Sequence, residues 1–156
     1  MEIKTNVMRT LDKAHIKYNT YFYDAATART GGEIAATLNQ NPAQVFKTLV
    51  TINKSNKLFV FMLPVNMELD LKAAATCVGE KSLNMLPQRE LLARVGYIHG
   101  GCSPIGMKKV FPTVLDESAQ KYETIIFSAG TPGAQVEMSI DDLNKIIPIK
   151  FGDICE

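Results

Sequence analysis

Val7, Met8, Leu11 and Ala14 recur at helical spacing among Lys, Arg and Asp, and this pattern predicts an amphipathic helix over residues 6–14. Residues 18–23 are aromatic-rich and read as a strand. Thr30-Gly31-Gly32-Glu33 has the spacing of a capping box, which starts a helix through Ile34, Ala35 and Leu38. Asn41-Pro42-Ala43-Gln44 is another start signal, but it opens only a turn. Phe46–Ile52 and Leu58–Leu63 read as two strands of a hairpin, joined by the polar turn 53–56. Asp70 is placed to cap a helix from Leu71 to Val78 that Gly79 ends. Pro87 opens another, with Leu91, Leu92 and Val95 as its buried stripe and Gly96 as its stop. Short strands follow at 97–99, 113–115, 124–128 and 135–139, and Ser139 caps a last helix reaching Ile147 before Pro148.

Helices and strands are interspersed without a regular βαβ period, and no repeat or linker is visible. The pattern predicts one α+β domain over residues 1–156: a curled, partly barrel-like mixed β-sheet with surrounding helices, antiparallel neighbours dominating its second half.

Composition narrows the function classes. A chain of 156 residues buries about 70% of the surface its unfolded form exposes, enough for a real core. Hydrophobic residues at 46% and charged residues at 21% exclude a disordered or low-complexity chain. With 17 Lys+Arg against 16 Asp+Glu the net charge is +1, so any nucleic-acid partner must be met by a local patch rather than a global field. Three cysteines without a C-x-x-C pair and two histidines match neither a zinc site nor a disulfide framework. Free thiols suit a reducing cytosol, and no metal or cofactor is expected. The N-terminus lacks the apolar block of a signal peptide, and the longest apolar run, 58–65, contains Pro64 and is too short to span a bilayer. A cytoplasmic protein without membrane contact is the expectation.

Three segments offer chemistry. In Gly100-Gly101-Cys102-Ser103-Pro104-Ile105-Gly106-Met107-Lys108-Lys109, three glycines and a proline fix a tight loop whose N–H groups suit an anion or oxyanion, or which merely turns the chain. It is not a phosphate-binding P-loop, because Met107 separates the last glycine from the lysines and the following 110–115, with Pro112, is extended. Lys47 alternates with Val45 and Leu49 on one face of a strand whose other face carries Phe46, Thr48 and Val50. A lysine on a strand covered on both sides needs an anionic or ester partner, unless its stem packs while its ammonium reaches water. Ser128 and Gly130 close a strand with a small-residue loop where a ligand can approach, or a plain connection. Weaker readings are a Cys102–His99 thiol dyad, Asp141-Asp142 as a carboxylate pair rather than first-turn helix acids, and Met62, Met67 and Met85 as a groove rather than core.

Taken in order, Val45-Phe46-Lys47-Thr48-Leu49, Leu69-Asp70-Leu71-Lys72, the 100–106 loop with Lys108-Lys109, Pro112-Thr113 with Asp116, and Phe127-Ser128-Ala129-Gly130 resemble the YbaK/EbsC group of aminoacyl-tRNA editing proteins. That group is related to the editing domain of bacterial prolyl-tRNA synthetases, and the likeness covers nearly the whole chain. The resemblance implies a trans-editing deacylase that removes a wrongly attached small amino acid, cysteine first and alanine or another small amino acid as the alternative, from tRNA(Pro). It implies catalytic roles for Lys47, Gly101 and Ser128, and a pocket wall of Tyr21, Thr30, Gly100, Ser103, Pro104, Gly106, Gly130 and Gln135. Lys108 and Lys109 would meet the tRNA acceptor end, with prolyl-tRNA synthetase as a working partner. In the family a cysteinyl substrate uses its own thiol, so no protein nucleophile is required. Thr30 stands where the family has an aromatic residue and Gln135 where it has an aspartate, changes that bear on which amino acid is preferred. The rival readings are a non-catalytic aminoacyl-tRNA or synthetase adaptor and a small-molecule esterase or lyase.

Overall fold

The computed structural model describes residues 3–156. Along the chain run α1 (Asn6–Lys13), β1 (Asn19–Phe22), α2 (Gly31–Thr37), β2 (Phe46–Ile52), β3 (Leu58–Pro64), α3 (Leu71–Cys77) and β4 (Asn84–Met85). Then come α4 (Leu91–Val95), β5 (Thr113–Asp116), β6 (Thr124–Ser128), β7 (Ala134–Ser139), α5 (Ile140–Ile146) and β8 (Ile149–Gly152). The α+β mixture stands, but the strands form two sheets, β1-β7-β6 and β4-β2-β3-β5-β8, and not one curled, barrel-like sheet. Among the described residues a single parallel bridge, Val45–Ile126, joins the two. β1 pairs only with β7 and β8 only with β5 among the described residues, so the sheets do not close into a barrel.

Local chemistry sets the element boundaries. The Thr30 hydroxyl accepts the Glu33 N–H at 3.1 Å while Glu33 accepts the Thr30 N–H at 3.0 Å, the capping box that opens α2. The Asp70 carboxylate accepts the Lys72 and Ala73 N–H groups at 3.1 Å, and the Ser139 hydroxyl accepts that of Asp142 at 3.1 Å. Gly96 ends α4 in the left-handed region, with φ 94°. α4 has one helical turn, so Leu91 and Val95 turn inward while Leu92, read as part of the buried stripe, is 56% exposed. Residues 97–99 are a turn rather than a strand: the Ile98 carbonyl accepts the Gly101 N–H at 3.0 Å, which folds the chain back.

β2 and β3 form the antiparallel hairpin in register Phe46–Pro64 through Ile52–Leu58. Every residue of β3 is buried. Phe59, Phe61 and Leu63 pack with Ala74 and Ala75 of α3, while Leu58 and Val60 pack with Val95 of α4 on the opposite face. The β3–β5 and β5–β8 pairs are parallel, so antiparallel pairing does not govern the second half. α1 and α5 cover the smaller sheet, where Met8, Leu11, Phe127, Val136 and Leu143 share one core. Among the described residues no helix is long and apolar enough to cross a membrane.

Candidate functional site

A cavity of about 500 Å³ opens where the two sheets part. β2 and β6 touch at Val45–Ile126; beyond the bridge β6 follows β7 and β2 follows β3, and Lys47 and Ser128 both line the gap. The register decides what β2 presents there. The Val45 carbonyl accepts the Val65 N–H at 2.8 Å and the Asn53 N–H donates to the Lys57 carbonyl at 2.9 Å, so odd-numbered residues of β2 aim their main-chain groups at β3. Even-numbered residues use the other edge: the Gln44 carbonyl accepts the Ile126 N–H at 3.1 Å and the Val50 carbonyl accepts the Leu86 N–H at 3.0 Å. Thr48 faces Met62 in the register with β3, but on this other edge it has no strand partner among the described residues, so its N–H and C=O lie free along the cavity.

Of the residues singled out in the sequence, the structure brings Thr30, Lys47, Gly100, Ser128 and Gln135 to this cavity. Lys47 is half-buried, and its charge also reaches Cys155, whose thiol it pulls down against the larger upward push of burial. The Ser128 oxygen accepts the Gly130 N–H at 3.1 Å, which leaves the hydroxyl proton free to donate elsewhere. Gln135, buried at 5% exposure, is held by the Gln40 side-chain amide at 2.8 Å.

Tyr21, Gly101, Ser103, Pro104, Gly106, Gly130, Lys108 and Lys109 are outside the lining. Tyr21 pairs with Gln135 across β1 and β7 and donates its hydroxyl to Glu137 at 2.5 Å; that hydrogen bond, with some burial, raises the phenol pKa. Tyr21 thus stands beside Gln135 on one face of the sheet, packed against Ala35, Val45 and Ile126. Gly101 is buried against the neighbouring turn, where a Cβ would sit 2.7 Å from Pro132 Cδ. Its N–H is taken by Ile98, so it is a close-approach glycine and not a free amide donor. Gly100 and Cys102, its neighbours, do line the cavity, and their N–H groups have no main-chain partner among the described residues. Ser103 is fully buried and accepts the Ile105 N–H at 3.4 Å, and Pro104 is buried beside it. Tyr97 clamps this loop, donating its hydroxyl to the Ile105 carbonyl at 2.5 Å. Its ring also lies against Gly106 and Gly130. The Lys108 ammonium donates to the Ala93 carbonyl at 3.0 Å, and Lys109 is exposed away from the cavity.

The sequence reading missed Arg29, Thr48 and the supporting Gln40 and Tyr97. Arg29 is an exposed cation on the cavity wall. Thr48 is 9% exposed, and its hydroxyl has no partner among the described residues. Nothing in their spacing marks either; both become visible only when β2 and β6 separate. Among the described residues the charged lining consists of Arg29 and Lys47, with the His99 ring also on the wall and no carboxylate. Cys102 is no activated nucleophile, because burial pushes its thiol up to about 12. Among the described residues no three His, Cys, Asp or Glu side chains gather to hold a metal ion.

Residues 25–146 match the aminoacyl-tRNA editing domain. Over 152 residues the chain is 41% identical to EbsC of Enterococcus faecalis, a candidate Cys-tRNA(Pro)/Cys-tRNA(Cys) deacylase, across 97% of this chain and 93% of EbsC. It is 32% identical over 106 residues to the proline–tRNA ligase of Shouchella clausii, which spans 68% of this chain and 18% of the ligase. The crystal structure of a candidate trans-editing enzyme for prolyl tRNA synthetase superposes with a TM-score of 0.83 at 26% identity, covering 96% of this chain and 94% of that one.

Proposed function

This chain belongs to the aminoacyl-tRNA editing domain family, and on that premise we propose that it is a trans-editing deacylase that removes cysteine from wrongly charged tRNA(Pro). The observation that carries the reading is that Lys47 and Ser128 line the same cavity, whose wall among the described residues has cations but no carboxylate. An ester of an amino acid with ribose is already activated, so placing it and stabilising the developing oxyanion supply most of what the reaction needs.

Each residue then has a definite task. The Lys47 ammonium stands by the ribose oxygen that departs, where negative charge grows. The Ser128 hydroxyl, whose oxygen already accepts the Gly130 N–H, donates to the acyl oxygen. The free amides of Gly100 and Cys102 add donors, the task first given to Gly101, whose N–H is engaged. Thr30 and Gln135 present a small, polar wall to the side chain. With a cysteinyl ester, the substrate thiol attacks its own carbonyl carbon. A C–S bond forms, the C–O bond to ribose breaks, and the thiol proton passes to the ribose oxygen; the four-membered thiolactone so released is then opened by water to give free cysteine. Residues 1–156 act as one editing unit in the cytoplasm, beside prolyl-tRNA synthetase, which loads the wrong amino acid because small size differences separate substrates by only about 1–3 kcal/mol.

Purified protein offered Cys-, Ala- and Pro-tRNA(Pro) side by side tests this. Cysteine is released fastest and proline is spared. Faster release of alanine would reassign the substrate, and tight tRNA binding with no release of any amino acid would favour the adaptor.

A further inference from the structure

Arg29 is a second cation on the cavity wall, and the chemistry assigned to Lys47 leaves it without a task. Its backbone is held on both sides. Ala28 before it is 2% exposed and donates its N–H to the Asp24 carbonyl at 3.0 Å, and Thr30 after it is locked into the capping box. The side chain is exposed, and the described ion pairs, Lys4–Asp12, Arg94–Glu90 and Lys145–Asp142, do not involve it. Glu33 is near enough to feel its charge, but the Glu33 carboxylate is committed to the Thr30 N–H at 3.0 Å. A fixed base, a guanidinium with no ion-pair partner among the described residues and a cavity wall on which those residues place no carboxylate make an anion subsite.

We propose that Arg29 binds the phosphate on the 5′ side of the terminal adenosine when an aminoacyl-tRNA end occupies the cavity. The assignment rests on the deacylase reading, which puts the ester at Lys47 and Ser128. That phosphate is the anion of the substrate nearest to the ester, one ribose away. The lysines marked in the sequence are less suited: Lys108 is tied to the Ala93 carbonyl, and neither it nor Lys109 lines the cavity. A planar fork of N–H donors also matches a phosphate better than an ammonium does.

The probe is adenosine 5′-monophosphate compared with adenosine, titrated calorimetrically against wild type, Arg29→Ala and Arg29→Lys. Wild type binds the monophosphate about tenfold more tightly than the nucleoside, as one charge-assisted contact provides. Arg29→Ala binds both with the affinity that wild type shows for adenosine, and Arg29→Lys recovers part of the preference. Equal binding of the two by wild type, no detectable binding of the monophosphate, or a preference that survives Arg29→Ala would each overturn the assignment. Deacylation of Cys-tRNA(Pro) is measured on the same proteins. Turnover without a monophosphate preference sinks the anion subsite alone, whereas a preference that Arg29→Ala removes, with Cys-tRNA(Pro) left intact, sinks the deacylase reading alone.

Discussion

Cys102 shows how a residue's surroundings decide its chemistry. Next to His99 in sequence it suggests a thiolate nucleophile, but burial moves its pKa from 9.0 to about 12, so it stays a neutral thiol under physiological conditions. Folding raises this pKa, so the native state binds more protons than the unfolded state above the unfolded value. Its contribution to stability is therefore full below about pH 9 and is lost as pH rises toward about 12. Iodoacetamide at pH 8 should leave Cys102 unmodified in the folded protein and label it once denaturant is added, as read by peptide mass mapping. Fast labelling of the folded protein would contradict the raised pKa of this half-buried thiol. Lys47 was legible in the sequence because a lysine in an apolar strand is out of character. Arg29 was not, because an arginine in a polar loop is ordinary until the cavity is seen. Gly101 was legible as important, but its reason lay elsewhere: contact with Pro132 depends on how two distant loops meet.

Helix starts were the most legible elements, since capping is local chemistry. Thr30, Asp70 and Ser139 all cap as their spacing predicts. Asp70 belongs to one of the stretches on which the resemblance to editing proteins rests, and its work here is structural: it caps α3, and its N–H donates to the Ile154 carbonyl at 2.8 Å, tying in the C-terminal segment. Asp70→Ala should lower stability by about 1 kcal/mol, measured by urea denaturation, while leaving deacylation of Cys-tRNA(Pro) near wild type. A selective loss of activity at unchanged stability would move Asp70 to the site. The less legible elements were β4, two residues long and without a period, and β8, which exists through parallel pairing with β5. Parallel pairs carry no turn signal between them, so sequence pattern gives little warning.

For the whole molecule, the decisive feature is the parting of the two sheets beyond Val45–Ile126. A closed barrel would pair the free edge of β2 and fill this space with side chains. The open arrangement instead leaves the Thr48 edge that faces away from β3 free and puts both Lys47 and Ser128 on the cavity wall. The chain is nearly neutral at +1, yet the cavity holds Arg29 and Lys47 without a carboxylate, so its field is local. Such a field suits one anionic end of a substrate without drawing the protein onto nucleic acid at large.

The most direct test is single-turnover deacylation of Cys-tRNA(Pro) by wild type and Lys47→Ala, with thermal unfolding recorded for both. An electrostatic contact to a developing oxyanion is worth about 10²-fold or more in rate, so the variant should lose at least that much while unfolding at nearly the same temperature. Undiminished cysteine release by a folded Lys47→Ala would contradict the account.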